Sequence, residues 1–198
     1  GVTWMSPPLK KDTELTGPMA AKVFISSSTV DCDLFVTMQA FAPNGREVHF
    51  QGTVDPKTPL AQGCLRASHR KLDTKLSKPW RPYHSHDDKQ MLIPGKVYEL
   101  DVEIWPQSVM LPKGYRIAVN ITGQDFDRPG PAVEAYVPSR GSGPFLHDDP
   151  VDRPKEIFGG KTTIHSGKGQ ESYILLPIIP ERKNKSVKHD GNEPTIAD

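Results

Sequence analysis

Three groups of side chains carry residue types that do chemistry. Arg66, His69 and Arg70 fall close together, and two guanidiniums beside an imidazole suit a carboxylate, on a ligand or on a neighbouring domain. Trp80, Tyr83, His84 and His86 share one Pro-rich loop, where the aromatic rings would stack on a sugar face or close a pocket. His147, Asp148 and Asp149, with Asp152 nearby, combine an imidazole with hard oxygen donors and are the weak candidates for a metal site. Each group also has an ordinary structural reading. The basic cluster reads as a polar strand end satisfying its own loops, the aromatics as pins holding a long loop to the body, and the acids as a solvated turn. Spacing alone brings no ligand set together, so no metal is assigned.

The absences weigh as much. No serine is flanked by glycines as G-x-S-x-G, so the strand-to-helix elbow that presents a hydrolase nucleophile is missing. Gly160-Lys161-Thr162 imitates the end of a phosphate-binding loop, but the first glycine would fall at Lys155, and the loop would lack its cradle. H-E-x-x-H, C-x-x-C and the dinucleotide fingerprint are also absent. No catalytic residue is therefore assigned, and no cofactor is expected.

The elements that must position these groups are strands. In residues 96–124, Tyr98, Leu100, Val102 and Ile104 alternate with Glu99, Asp101 and Glu103. After a break at 106–114, Tyr115, Ile117, Val119 and Ile121 alternate with Arg116, Ala118, Asn120 and Thr122. A period of two puts alternate side chains on one face, so both runs read as half-buried strands around which the rest is arranged. Further strands are expected at 2–5, 21–27, 34–42 and 46–51, the last two joined by a type I′ turn at Asn44-Gly45. A hairpin around Gly167-Lys168-Gly169 would join 161–165 to 171–179. Residues 72–88 and 125–154 show no period and read as long loops, and the charged stretch 181–198 reads as a disordered tail after a domain spanning 1–180. About eight short strands separated by turns give an all-β sandwich or jelly roll.

Composition narrows the partners. The chain has 198 residues, 20 of them proline and 16 glycine, which favours many turns over long helices. A net charge of +1 supplies no basic field for nucleic acid, and no apolar run is long enough to cross a membrane as a helix. Cys32 and Cys64 are too few for a disulfide framework and read as reduced, structural thiols. The compartment stays open, leaning to the cytoplasm, and a homo-oligomer stays open too.

Four runs taken in order, ELTGPMAAKVFISSSTVDCDLFVTMQAFAPNG, GCLRASHRKLD, PGKVYELDVEIWPQSVMLPKGYRIAVNITGQDF and TTIHSGKGQESYILLPIIP, resemble the C-terminal domain of X-Pro dipeptidyl-peptidases and cocaine-esterase-like (CocE/NonD) hydrolases. The resemblance covers about residues 2–180. It implies a galactose-binding-like jelly-roll β-sandwich with long irregular loops. It also implies an upstream α/β-hydrolase domain in the same polypeptide, which carries the Ser-Asp-His machinery and against which this domain packs. The function it implies is a non-catalytic accessory domain that helps shape the active-site entrance, with Arg66, His69, Arg70, Trp80, Tyr83, His84 and His86 as docking or ligand contacts. A carbohydrate-binding module is the alternative, with Trp80 and Tyr83 stacking on sugars and His84, His86 and Asp87 hydrogen bonding.

Overall fold

A computed structural model describes residues 1–52, 55, 57–127 and 146–181. The expected tail at 181–198, apart from Glu181, and most of the 125–154 loop lie outside the described residues. The strands are β1 (Val2–Met5), β2 (Thr13–Ser27), β3 (Asp33–Phe41), β4 (Glu47–Val48), β5 (Ala61–Arg66), β6 (Tyr98–Leu111), β7 (Arg116–Thr122), β8 (Thr162–His165), β9 (Tyr173–Leu175) and β10 (Ile178–Ile179). Among the described residues, a 3-10 turn (Ala67–His69) and one short helix, α1 (Lys155–Phe158), complete the elements. The all-β expectation holds.

All the strand pairs are antiparallel. One sheet runs β1-β7-β3-β4, with β5 also along β3; the other centres on β2, with β6 on one side and β8, β9 and β10 on the other. Between them lies a core built from the inward faces of both. Leu15, Met19, Val23 and Ile25 of β2 meet Val36 and Met38 of β3, Leu100, Val102 and Ile104 of β6, and Ile117 and Ile121 of β7. These are the alternating residues of the sequence pattern, buried because every second side chain of a strand faces the same way. The two runs of 96–124 are not neighbours, however. β6 and β7 belong to opposite sheets, and the Pro112–Gly114 turn carries the chain across the sandwich.

The break expected at 106–114 is a β-bulge inside one strand. β6 is 14 residues long and runs on to Leu111 beside the 15-residue β2. Gly17 pairs with Gln107 but Met19 with Ile104, so Trp105 and Pro106 together oppose Pro18. One extra residue on β6 moves its inward face from Leu100, Val102 and Ile104 to Val109 and Leu111. Two prolines at the bulge cost no ladder bonds there, because the ladder is already interrupted. Trp105, just before the change of phase, continues the outward face of Glu99, Asp101 and Glu103 and is 73% exposed.

Two turn expectations are corrected. At Ala42–Arg46 only Gly45 has positive φ (80°), and its amide donates to Ala42 O at 2.9 Å while the Ala42 amide donates to Arg46 O at 2.9 Å. This is a three-residue loop closed by a left-handed glycine, not the two-residue type I′ turn, because Pro43 pre-sets the first position. The expected returning strand 46–51 is only Glu47–Val48 plus a bridge between Phe50 and Thr58. The hairpin at Gly167–Gly169 does not form either. β8, β9 and β10 each pair with β2, against Phe24–Ser27, Ala20–Lys22 and Glu14–Leu15, as one interrupted edge strand. Across the first gap, Ser172 substitutes for the ladder: its hydroxyl accepts from Phe24 N (3.2 Å) and donates to His165 O (3.0 Å). At the second, Pro177 O accepts from Thr16 N at 3.0 Å.

Candidate docking surface

The chemistry-bearing residues are placed by β5. It pairs with β3 along all six residues and packs its Gly63 on the backbone of β6, where an added Cβ would sit 1.9 Å from Glu103 O, so a residue without a side chain is required. β5 ends at Arg66 and the chain closes into the 3-10 turn. Buried Asp31 holds that turn: one carboxylate oxygen accepts the amides of Cys32 and Ser68, each at 2.9 Å. From Arg70 the chain makes its long excursion and returns to β6.

That excursion is more ordered than its aperiodic sequence implies, and its aromatics are not the pins. Trp80 is 53% exposed and Tyr83 is also exposed. The loop is held by backbone bonds instead, Asp73 N to Tyr83 O (2.8 Å), Ser85 N to Lys71 O (3.0 Å), Gln90 N to Ser68 O (2.8 Å) and Leu92 N to Val30 O (2.7 Å), with Leu92 buried at its return. Arg70 adds to this: its guanidinium donates to Ala67 O (3.1 Å) and to Gln90 O and lies 4.6 Å from the Tyr98 ring centroid. Arg70 is therefore occupied within its own loop.

Arg66 is occupied as well. Its Nε and Nη2 reach the two oxygens of Asp33 at 2.9 and 3.1 Å, and Nη1 and Nη2 reach those of Asp152 at 2.9 and 2.8 Å. Two bidentate forks on one planar cation make a strong, directional latch. The hydrogen bonds that the guanidinium donates to Asp33 first and Asp152 second raise its pKa further above the neutral range, and Arg66 in turn draws the Asp152 carboxyl below its usual range. The Arg66 guanidinium also lies 4.4 Å over Phe158 of α1. Arg153 Nε sits 2.9 Å from Asp33 Oδ2 as an ion pair without hydrogen-bond geometry, and its Nη2 donates to Gly123 O at 2.7 Å. Arg153 also bonds the carbonyl of His147. Segment 146–158 is thus strapped to β3 and β5.

His147, Asp148 and Asp149 do not converge. His147 turns to Asp125, with its ring Nδ1 2.9 Å from Oδ1 and its amide 2.6 Å from Oδ2, while Asp149 Oδ1 accepts the Val151 amide at 2.8 Å. Among the described residues, no group of three or more His, Cys, Asp or Glu side chains is arranged to hold a metal.

What the fold does bring together is a set of imidazoles. His69 Nδ1 and His86 Nδ1 are 3.0 Å apart, and the His84 and His86 ring centroids are 6.1 Å apart. The short contact requires one ring to donate and the other to accept, which fixes complementary tautomers. His86 has left-handed backbone (φ 53°), unusual for a residue with a side chain. Burial pushes His84 below its ordinary pKa, against the bond from its backbone environment at Asp101. With Arg66, Cys64, Trp105 and His147 these rings line a cleft of about 550 Å³. Trp80 and Tyr83 stand outside it. Both cysteines are free; burial raises the Cys32 thiol to about 11, the behaviour of a structural thiol.

Trp105 was missed by sequence reasoning, although a large aromatic at a break in alternation is a usable signal of an outward-turned residue. The partners Asp33, Asp152 and Arg153 carry no such signal, since nothing in the spacing ties them to Arg66.

The class so defined is an antiparallel β-sandwich presenting a latched polar cleft, with no nucleophile elbow in its sequence. The chain belongs to the family of X-Pro dipeptidyl-peptidase C-terminal non-catalytic domains, which matches residues 1–175. A Mycobacterium bovis protein whose name calls it a serine esterase is 30% identical over 146 residues, 68% of this chain and 22% of that protein. Cocaine esterase from Rhodococcus is 25% identical over 171 residues, 86% of this chain and 24% of the enzyme. A crystal structure of a CocE/NonD family hydrolase from Staphylococcus aureus superposes with a TM-score of 0.75 at 25% identity, covering 90% of this chain and 30% of that one. The chain thus spans under a quarter of the length of these curated relatives. The carbohydrate-binding alternative finds no support in these relatives, all hydrolases by name.

Proposed function

We propose that this chain is the accessory β-sandwich of a serine hydrolase that cleaves esters, amides or Xaa-Pro peptides through an acyl-enzyme, and that it packs against an α/β-hydrolase domain upstream in the same polypeptide. The observation that carries the reading is the match of residues 1–175 to a non-catalytic C-terminal domain, with named relatives of whose length the match covers 22% and 24%. A galactose-binding-like jelly-roll path is the finer form that the resemblance implies.

Within this reading the cleft end of the sandwich docks on the catalytic domain. Arg66, Arg70 and Asp31 set the shape of that end, and the outward groups are Trp80, Tyr83, Trp105 and the imidazoles His69, His84 and His86. Exposed aromatics ringed by polar groups are the composition of an interface core. Such a surface would form one wall of the active-site entrance and act on turnover by position, not by chemistry.

The test is made on the full-length parent. Trp105→Ala and Trp80→Ala together are expected to lower thermal stability and raise KM or lower kcat, while fluorophosphonate labelling of the catalytic serine persists. Unchanged stability and kinetics would remove the docking assignment. Fluorophosphonate labelling of the 198-residue chain itself would overturn the non-catalytic reading.

A further inference from the structure

The cleft holds titratable groups that docking leaves unused. His69 ends the 3-10 turn, while His84 and His86 lie on the long loop that follows. His69 Nδ1 and His86 Nδ1 are 3.0 Å apart, with ring centroids 5.2 Å apart, and the His84 ring centroid is 6.1 Å from that of His86. His86 makes this contact from left-handed backbone (φ 53°), a conformation that a residue with a Cβ keeps only where its surroundings impose it. Around it, Ser85 N donates to Lys71 O at 3.0 Å, and Lys71 Nζ reaches both oxygens of Asp87 at 3.0 Å.

The other charges around these rings are paired. On β5, Arg66 is spent on Asp33 and Asp152, and burial keeps the Cys64 thiol protonated. On β6, Asp101 pairs with Lys22 at 2.9 Å and Glu103 with Arg81 at 3.8 Å. After β7, Asp125 faces His147 at 2.9 Å. Among the described residues, the groups of the cleft that change charge between neutral and mildly acid pH are therefore the imidazoles themselves.

Two imidazoles joined through one proton respond unevenly to acid. In the neutral pair, one Nδ1–H donates and the other Nδ1 lone pair accepts. A first added proton goes to the outer nitrogen of the donating ring, and the bond survives as a charge-assisted one. A second proton takes the accepting lone pair and sets two cationic N–H groups head to head. We infer that the His69–His86 contact is an acid-sensitive joint of the cleft rim, holding residues 84–88 against the 3-10 turn near neutral pH and releasing them when both rings are protonated. Burial first, with the neighbouring rings adding to it against the bond at Asp101, disfavours the charged form of His84, so that ring stays neutral while the pair takes up protons. Release also frees His86 from its left-handed backbone. In acid the open form carries one proton more than the closed form, so closure is lost as pH falls, by up to about tenfold per pH unit.

The test is amide hydrogen exchange in the full-length parent, followed from about pH 7.5 to about pH 5 and corrected for the intrinsic pH dependence of exchange. Protection of residues 84–88 is expected to fall, approaching about tenfold per pH unit as the imidazoles titrate, while the β2 and β6 amides stay protected. His86→Asn keeps an oxygen that accepts from His69 Nδ1 in either protonation state of that ring, on a residue type that tolerates left-handed backbone. It should match the parent near neutral pH and keep its protection in acid, and His69→Asn should do the same from the other side. If one variant misfolds, the other alone carries the comparison. A parent whose protection does not change with pH, or an acid loss as steep in the variants as in the parent, would overturn the joint. Loss of protection in the folded variants already at neutral pH would overturn it too, since the rings would then hold the rim by shape and not by a shared proton.

Discussion

The two ends of the sandwich are opposite in kind. At the cleft, polar groups are numerous and mostly held by partners in this chain: Arg66 holds two carboxylates, Arg70 two carbonyls, and one oxygen of Asp31 two amides, while Asp31 Oδ2, Ser68 Oγ and His84 Nε2 are buried without a hydrogen-bond partner. Between β1 and the β8–β10 edge, few polar groups are involved, and core residues meet an apolar gap bounded by strands that have one partner each among the described residues. The cleft end is shaped by ion pairs and the opposite side by apolar contact. A surface built of satisfied ion pairs resists change because each partner removed leaves another uncompensated, while an apolar gap gains by being covered.

The sharpest way to break the comparison is at Gly63, where β5 rides on β6. Gly63→Ala would force β5 off the Glu103 carbonyl, and we expect a loss on the order of 3 kcal/mol, read as a lower denaturation midpoint with the cleft disrupted. A midpoint within error of the parent would show that the contact is slack. Next is the latch. Arg66→Ala leaves Asp33, largely buried, with only the poorly aligned Arg153, and about 2 kcal/mol should be lost after allowance for partial solvent access. Arg66→Lys should recover little of it, because a point charge cannot make both forks. Asp152→Asn should cost far less than Asp33→Asn, since Asp152 is the exposed partner. Equal losses at the two acids would mean the latch is not graded by burial.

A smaller effect follows from pH. Burial keeps the folded His84 below its ordinary value of 6.5, so the unfolded chain takes up this proton first on acidification. Stability from the neutral ring is complete above about 6.5 and is lost as pH falls from there toward the lower folded value. His84→Gln should flatten that part of the stability profile, measured by urea titration across pH 7 to 5. An unchanged slope would place the acid sensitivity elsewhere. The smallest expected effect is beside the apolar gap: Trp4→Ser should change the stability of the 198-residue chain by no more than about 1 kcal/mol, because its ring is half in water. A large loss there would mean that the Trp4 ring packs as core.

Alternation made β6 and β7 legible, since burial of one face is written directly into residue order, while strand-forming residues placed β3 and only the second half of β2, whose start at Thr13 lies well before the expected 21–27. It failed where a strand changed phase or partner. Trp105-Pro106 looked like a terminus because the bulge reverses the pattern, and Gly167–Gly169 looked like a hairpin tip because turn residues do not record which strand receives the next segment. The site followed the same rule. His69, His84 and His86 were visible as a local group, but their meeting across one cleft depends on the 3-10 turn and the return of the loop.

By itself, then, the sequence determined an all-β chain, its core faces and its family, because these rest on local pattern and motif order. Only the tertiary structure decided that β6 and β7 stand in opposite sheets, that Arg66 is spent on Asp33 and Asp152, and that His69 and His86 meet. Strand partners and ion pairs are set by contacts between residues far apart in the chain, and no short-range periodicity encodes them.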